Sequence, residues 1–335
     1  MTHEGAETGL VVDAHAHVYP AAYLDKLEDF GVPASSTAIA RNMNASDDRD
    51  EMRARIEMMD IAGVDVQVLS ATPQLPLVAD PAHAVEASRM VNDIYRQLID
   101  DHPGRFIAYG AIPFTHPDAA LEQIAYCLDE LGFVGIAINT ILDNPDSAIT
   151  DERFAPVFEE LDRRGSIVYI HPTGKSAHCP PMSRHGLAWV NGAPVEDAIA
   201  TLQLLKADYP NAYPGLRFHM AHLGGDVPFL AQRIQDNYED WDAFPVSPAE
   251  TLQRMWFDAA NFSGGSLRLS ADVYDPDKLL AGSDYPYFQR EKYNRAIAYI
   301  SEAGLPGGIE RAILSGNAKK LYGDALPAQA PRAEK

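Results

Sequence analysis

The sequence predicts an α/β fold built as a (β/α)8 barrel. Three observations carry this expectation. Eight short apolar runs recur along the 335 residues. Most lack the polar–apolar alternation of a half-exposed strand, as parallel strands buried on both faces do. Amphipathic stretches with helical stop signals lie between many of them. Eight such runs is the count of a barrel. A doubly wound open sheet meets the same pattern, and periodicity alone does not separate the two.

The runs are GLVVDAHAH (9–17), VDVQVLS (64–70), FIAYGAI (106–112), VGIAIN (134–139), SIVYIH (166–171), LRFHMAH (216–222), MWFDAA (255–260) and KLLAGSD (278–284). They are rich in Val, Ile, Phe and Tyr, which suit a pleated surface. Helical spacing of Met52, Ile56 and Met59 predicts a helix over 47–63, stopped by Gly63. The stretch 80–104 reads likewise, with Pro81 near its start and Pro103-Gly104 after its end. Stretches 116–132 and 151–165 also end on glycine. Two long connections, 18–46 and 172–193, are expected as loops over the barrel mouth, and loops 70–80 and 140–150 as further pocket walls. One domain is expected over 8–324, with a disordered Pro/Ala-rich tail over 325–335.

Composition narrows the partners. With 27 basic and 48 acidic residues the net charge is −21, which disfavours nucleic acid and anionic membranes. An anionic substrate then needs a local positive site, such as a metal or an arginine. Two cysteines, Cys127 and Cys179, exclude a disulfide framework and fit a reducing cytoplasm. The acidic, polar start MTHEGAETGL has no signal-peptide character, and no apolar run reaches membrane-spanning length.

The chemistry gathers at the run ends. His15 and His17 end the first run, His171 the fifth, His222 the sixth and Asp284 the eighth. Residues i and i+2 of a strand share a face, so both imidazoles of the H-x-H pair aim at one point. In a barrel, all C-terminal strand ends open onto one face, and residues remote in sequence meet there. Three histidines and a carboxylate make a zinc-like shell with a position left for water or substrate. His222 then remains as a proton-transfer group. His219, three residues earlier, is expected on the opposite strand face with a structural role. His178 and His185 are expected at the mouth, His83, His102 and His116 on the surface, and His3 in a disordered start.

These stretches resemble the amidohydrolase superfamily, in the branch similar to aminocarboxymuconate semialdehyde decarboxylase. The resemblance rests on DAHAH, VYIHP, MAHLGGDVPFLAQRI and AGSDYPY, joined by WVNGAPVEDAIATLQLL (189–205) and LSGNAKKLYG (314–323). It implies a distorted TIM barrel holding one divalent metal, usually zinc and sometimes manganese. It maps the ligands to His15, His17, His171 and Asp284, and proton transfer to His222, with Asp284 as ligand and relay. Binuclear relatives carry a lysine at the end of strand four. Asn139 and Thr140 stand here instead, which implies a mononuclear site. Trp189 matches an active-site tryptophan, and Arg41 or Arg49 stands near a carboxylate-binding arginine of a relative. Tyr285, Tyr287 and Phe114 are further expected pocket residues. The branch implies a homodimer and non-oxidative decarboxylation of an aromatic or unsaturated carboxylic acid. The same shell also serves hydrolysis of an amide, lactone or C–C bond, and the sequence leaves that alternative open.

Overall fold

The computed structural model describes residues 9–142 and 147–329. Eight parallel strands lie in the order β1 to β8. They are β1 Val12–His17, β2 Val66–Ser70, β3 Phe106–Ala111, β4 Gly135–Asn139, β5 Ile167–His171, β6 Arg217–Met220, β7 Trp256–Asp258 and β8 Leu279–Leu280. Helices between them cover the outside, as a parallel sheet requires. The sequential strand order selects the barrel over the open sheet.

The distortion lies at the closing seam. β8 is only two residues long, much shorter than the run 278–284 suggests. Closure falls to the irregular segment after it. Ala14 N donates to Ala281 O at 2.8 Å, Asp284 N to His15 O at 2.9 Å and His17 N to Tyr285 O at 2.7 Å. β1 itself bulges between Asp13 and Ala16, where its register against β2 shifts.

Local chemistry explains the helices that frame the site. Helix α3, Arg49–Ala62, starts where the Asp48 carboxylate accepts from Asp50 N and Glu51 N, and ends on Gly63 at φ 78°. Helix α4, Pro81–Asp101, starts with Asp80 as cap and proline in its first turn.

The connection 18–46 is not a plain loop. It folds into helices α1, Ala21–Asp29, and α2, Ala34–Arg41. Tyr23, Leu24 and Leu27 bury one face of α1, a pattern too short to stand out between Pro20 and Pro33. The connection 172–193 likewise holds a short helix, Pro180–Arg184, and a wide turn over Ala188–Gly192. Of the expected tail 325–335, Ala325 closes the 3-10 turn Gly323–Ala325 and Leu326 is buried in the core. Residues 330–335, His3 and residue 8 lie outside the described residues, as do 143–146 of the 140–150 loop. Both cysteines are free thiols, and Cys127 is buried.

Candidate active site

His15, His17, His171 and Asp284 come together at the C-terminal ends of β1 and β5 and on the seam after β8. One ligand atom from each lies within 4.8 Å of all the others, and all four residues are buried. His15 Nε2 stands 3.2 Å from His17 Nε2. Asp284 Oδ1 is 3.2 Å from the first and 3.3 Å from the second.

The donor set suits a cation because each imidazole is held from behind. His15 Nδ1 bonds Asp258 Oδ2 at 3.0 Å, His17 Nδ1 bonds Ser70 Oγ at 3.1 Å, and His171 Nδ1 bonds Pro172 O at 2.7 Å. With Nδ1 as the N–H, Nε2 presents its lone pair to the centre, the arrangement that backs metal-bound histidines. His171 Nε2 is buried and has no hydrogen-bond partner. Burial drives the His171 pKa well below its ordinary value, helped by the neighbouring His17 and His15. Burial also lowers His17 to about 4. Burial lowers His15 too, but the Asp258 and Asp284 carboxylates outweigh it and raise this imidazole to about 9.

His222 lies beside this cluster. Its Nδ1 is 2.9 Å from Asp197 Oδ2, and its Nε2 is 3.5 Å from Asp284 Oδ2. Burial alone lowers its pKa, and the adjoining Asp197 carboxylate more than reverses this, so the ring favours its protonated form. Asp284 therefore faces two ways: Oδ1 toward the histidine pair, Oδ2 toward His222. Both His222 and Asp284 sit at positive φ, 50° and 54°. Left-handed backbone at non-glycine residues is costly and gathers at functional sites.

A cavity of about 250 Å³ opens over the cluster. His171, His222 and Asp284 form its floor, and Trp189, Phe262, Tyr287 and Phe288 form aromatic walls. None of the described residues lining it is a lysine or arginine. In a chain of net charge −21, a cation on the four ligands would add a strong local positive charge.

Other expected residues fall in different places. Trp189 lines the cavity, 5.5 Å from the Tyr287 ring. Tyr287 lines it as well, whereas Tyr285 packs beneath the guanidinium of Arg55 at 4.3 Å. Phe114 is buried in the core, stacked on Phe154. Arg41 is not brought to the cluster. On α2 it pairs with Asp25 and Glu28, each at 2.8 Å, and these carboxylates hold it among the mouth helices. Arg49 is exposed in the first turn of α3. His178 and His185 do not line the catalytic cavity. His83 stacks on Phe30, and His116 Nε2 bonds Val78 O at 2.9 Å.

His219 corrects a parity argument. It points into the barrel, buried, on the same side as the cluster. The strand stops at Met220, and His222 lies beyond it at positive φ, so alternation does not relate the two. The His219 role is structural: Nδ1 meets Tyr109 Oη at 2.9 Å, and Nε2 lies 3.3 Å from Asp258 Oδ2.

Sequence reasoning missed two carboxylates. Asp258 ends β7, so the run-end rule that found the histidines also points to it. Asp197 sits inside the helix Ala193–Lys206, immediately before the apolar stretch AIATLQLL. A fully buried acid in such a helix is a signal visible only once a partner is known.

The fold and this site define a metal-dependent barrel enzyme. The chain belongs to the amidohydrolase family, whose profile matches residues 12–323. It is similar to 2-amino-3-carboxymuconate-6-semialdehyde decarboxylase of Dictyostelium discoideum, 29% identical over 242 residues. That match spans 70% of this chain and 66% of the relative, just under two thirds of its length. It is also similar to a 6-methylsalicylic acid decarboxylase of Aspergillus aculeatus, 26% identical over 344 residues, covering 93% of this chain and 95% of that one. Among solved structures, dihydroxybenzoic acid decarboxylase from a Polaromonas species, with bound manganese and the inhibitor 2-nitroresorcinol, superposes with a TM-score of 0.78. It is 22% identical, over 94% of this chain and 97% of that one. The resemblance read from the sequence, including its branch, is borne out, as is the barrel.

Proposed function

We propose that the protein is a metal-dependent carboxy-lyase that removes CO2 without oxidation from an aromatic or unsaturated carboxylic acid. The observation that carries this reading is the division of Asp284. One carboxylate joins the ligand cluster to His222, on the floor of a small aromatic-walled cavity. The named activities of the relatives support it. A bound cation would supply the positive charge that holds and polarises the acid. The chain's own residues do the rest. Trp189 and Tyr287 would hold a flat ring, and the apolar walls would limit water. When the C–C bond breaks, its electron pair stays on the ring or alkene carbon and CO2 leaves. His222, oriented by Asp197, would deliver the proton that forms the new C–H bond, directly or through Asp284. Solvent then restores the proton, so one proton is consumed per CO2 released.

Three imidazoles and a carboxylate suit zinc first. Manganese is the second choice, supported by the Polaromonas structure. One ion per chain fits the absence of a bridging lysine: Asn139 ends β4 and donates to Pro73 O at 3.0 Å. Arg41 receives no substrate role, since it is committed to Asp25 and Glu28. On family resemblance the protein is a homodimer, checked by sedimentation velocity. Its free thiols fit a cytoplasmic location.

A panel of hydroxybenzoic, pyridine and muconate-type acids, run beside esters and lactones, tests the reading. In deuterated water, a decarboxylase places deuterium on the carbon that lost its carboxyl group. Incorporation of ¹⁸O from labelled water into the product, with no CO2, would overturn decarboxylation in favour of hydrolysis.

A further inference from the structure

A second cavity adjoins the catalytic one. It measures about 690 Å³, against about 250 Å³ for the catalytic cavity. Trp189 lines both. The indole lies so close to Gly174 that a Cβ there would stand 2.4 Å from its ring. The cavity is framed by α1, α2 and the connection after β2; Phe30, Ile39, Leu75 and Leu77 form an apolar wall, and Gln74, Asn139, Thr173 and Lys175 stand among its polar lining.

Among the described side chains that line it, Asn139 alone has a buried polar atom without a partner. Gln74 Nε2 donates to Ser36 O at 2.9 Å, and Thr173 Oγ1 donates to Glu196 Oε2 at 2.9 Å. Asn139 is 2% exposed, and its Oδ1 is buried with no partner. The amide cannot be turned to hide this acceptor, because Nδ2 is committed to Pro73 O. Asn139 lines the cavity and pairs in register with the ligand His171. A buried acceptor left without a donor is costly, and a ligand hydroxyl or N–H would remove that cost.

We propose that this second cavity is a substrate subsite for an apolar substituent carried on the acid, with a hydroxyl or N–H on that substituent donating to Asn139 Oδ1. Trp189 is the partition that separates the reacting ring from this extension. The substrate is then an aryl or alkenyl acid with an alkyl-type extension, larger than a bare hydroxybenzoate. This deepens the decarboxylase reading and rests on it for the reacting end alone.

The test is a series of 2-hydroxybenzoic acids with alkyl substituents of increasing length, assayed for CO2. Beside it, the matching alkylphenols, which lack the carboxyl group, are titrated calorimetrically into metal-free protein. kcat/KM and phenol affinity should each rise roughly fourfold per buried methylene until the cavity is full. Ile39→Trp and Leu77→Trp, which fill the cavity, should erase that gain while the shortest acid still releases CO2. Asn139→Leu should cost roughly fivefold only for extensions that carry a hydroxyl. CO2 release from short acids with a flat length series overturns the subsite and leaves the decarboxylase reading standing. Length-dependent phenol binding that both tryptophan variants erase, without CO2 from any acid, keeps the subsite and overturns the decarboxylase.

Discussion

Asp258→Asn isolates how the metal site is held. Asp258 Oδ1 accepts from His222 N and Ala260 N, both at 3.1 Å. These two main-chain donors keep an oxygen at that position in the variant. The new amide nitrogen must then replace Oδ2, which lies 3.0 Å from His15 Nδ1 and 3.3 Å from His219 Nε2. An N–H2 there meets the N–H of His15 donor to donor. The imidazole escapes by shifting its proton to Nε2, the atom whose lone pair faces the other ligands. Loss of this orienting partner should weaken metal binding ~10–100-fold, or about 1.4–2.8 kcal/mol. Competition against a fluorescent chelator measures it, with thermal melts confirming that the barrel is folded. A folded variant that binds metal within threefold of the parent would refute this account of the His15 tautomer.

Three further outcomes are expected. His222→Ala should retain its metal by elemental analysis and lose ~10²–10⁴-fold in kcat, since the ring moves protons and is not in the cluster; parallel loss of metal would make it a ligand. Chelation of the metal should lower thermal stability by about 2.7 kcal/mol relative to protein held at a hundred times the dissociation constant, and His171→Ala should erase most of that difference in calorimetry. Glu160 is held at about 2 by its hydrogen bonds to Arg163 and Arg164. Its depressed pKa contributes stability above the ordinary carboxylate value of 4.5, lost as pH falls through about 2. Glu160→Gln should flatten that part of the urea-measured acid profile, by at most about 1 kcal/mol for such a surface cluster; an unchanged slope would sink this assignment.

The legible part of the molecule is the part governed by period and position. The alternation of Asp13, His15 and His17, and the apolar runs that end on His171 and Asp284, place the ligands without knowledge of tertiary contacts. What stayed hidden depends on irregular backbone. β8 closes through a segment that is not strand, and His222 and Asp284 turn through left-handed conformations, so counting by twos fails beside them. That is why alternation misplaces His219 relative to the cluster. Asp197 and the α1–α2 pair depend on packing partners far along the chain. Arg41 reads as available in the sequence because Asp25 and Glu28 become its neighbours only when the two helices fold back on each other.

The closing seam has a consequence for how the barrel comes apart. His15 and His17 belong to the first strand, His171 to the fifth, and Asp284 to the segment that joins the last stave to the first. A chain cut between β4 and β5 would leave two ligands in each fragment. Neither fragment could hold a cation as the whole barrel does. Tight metal uptake by a mixture of the two would then signal their reunion, with the cation as the latch across both gaps between the halves.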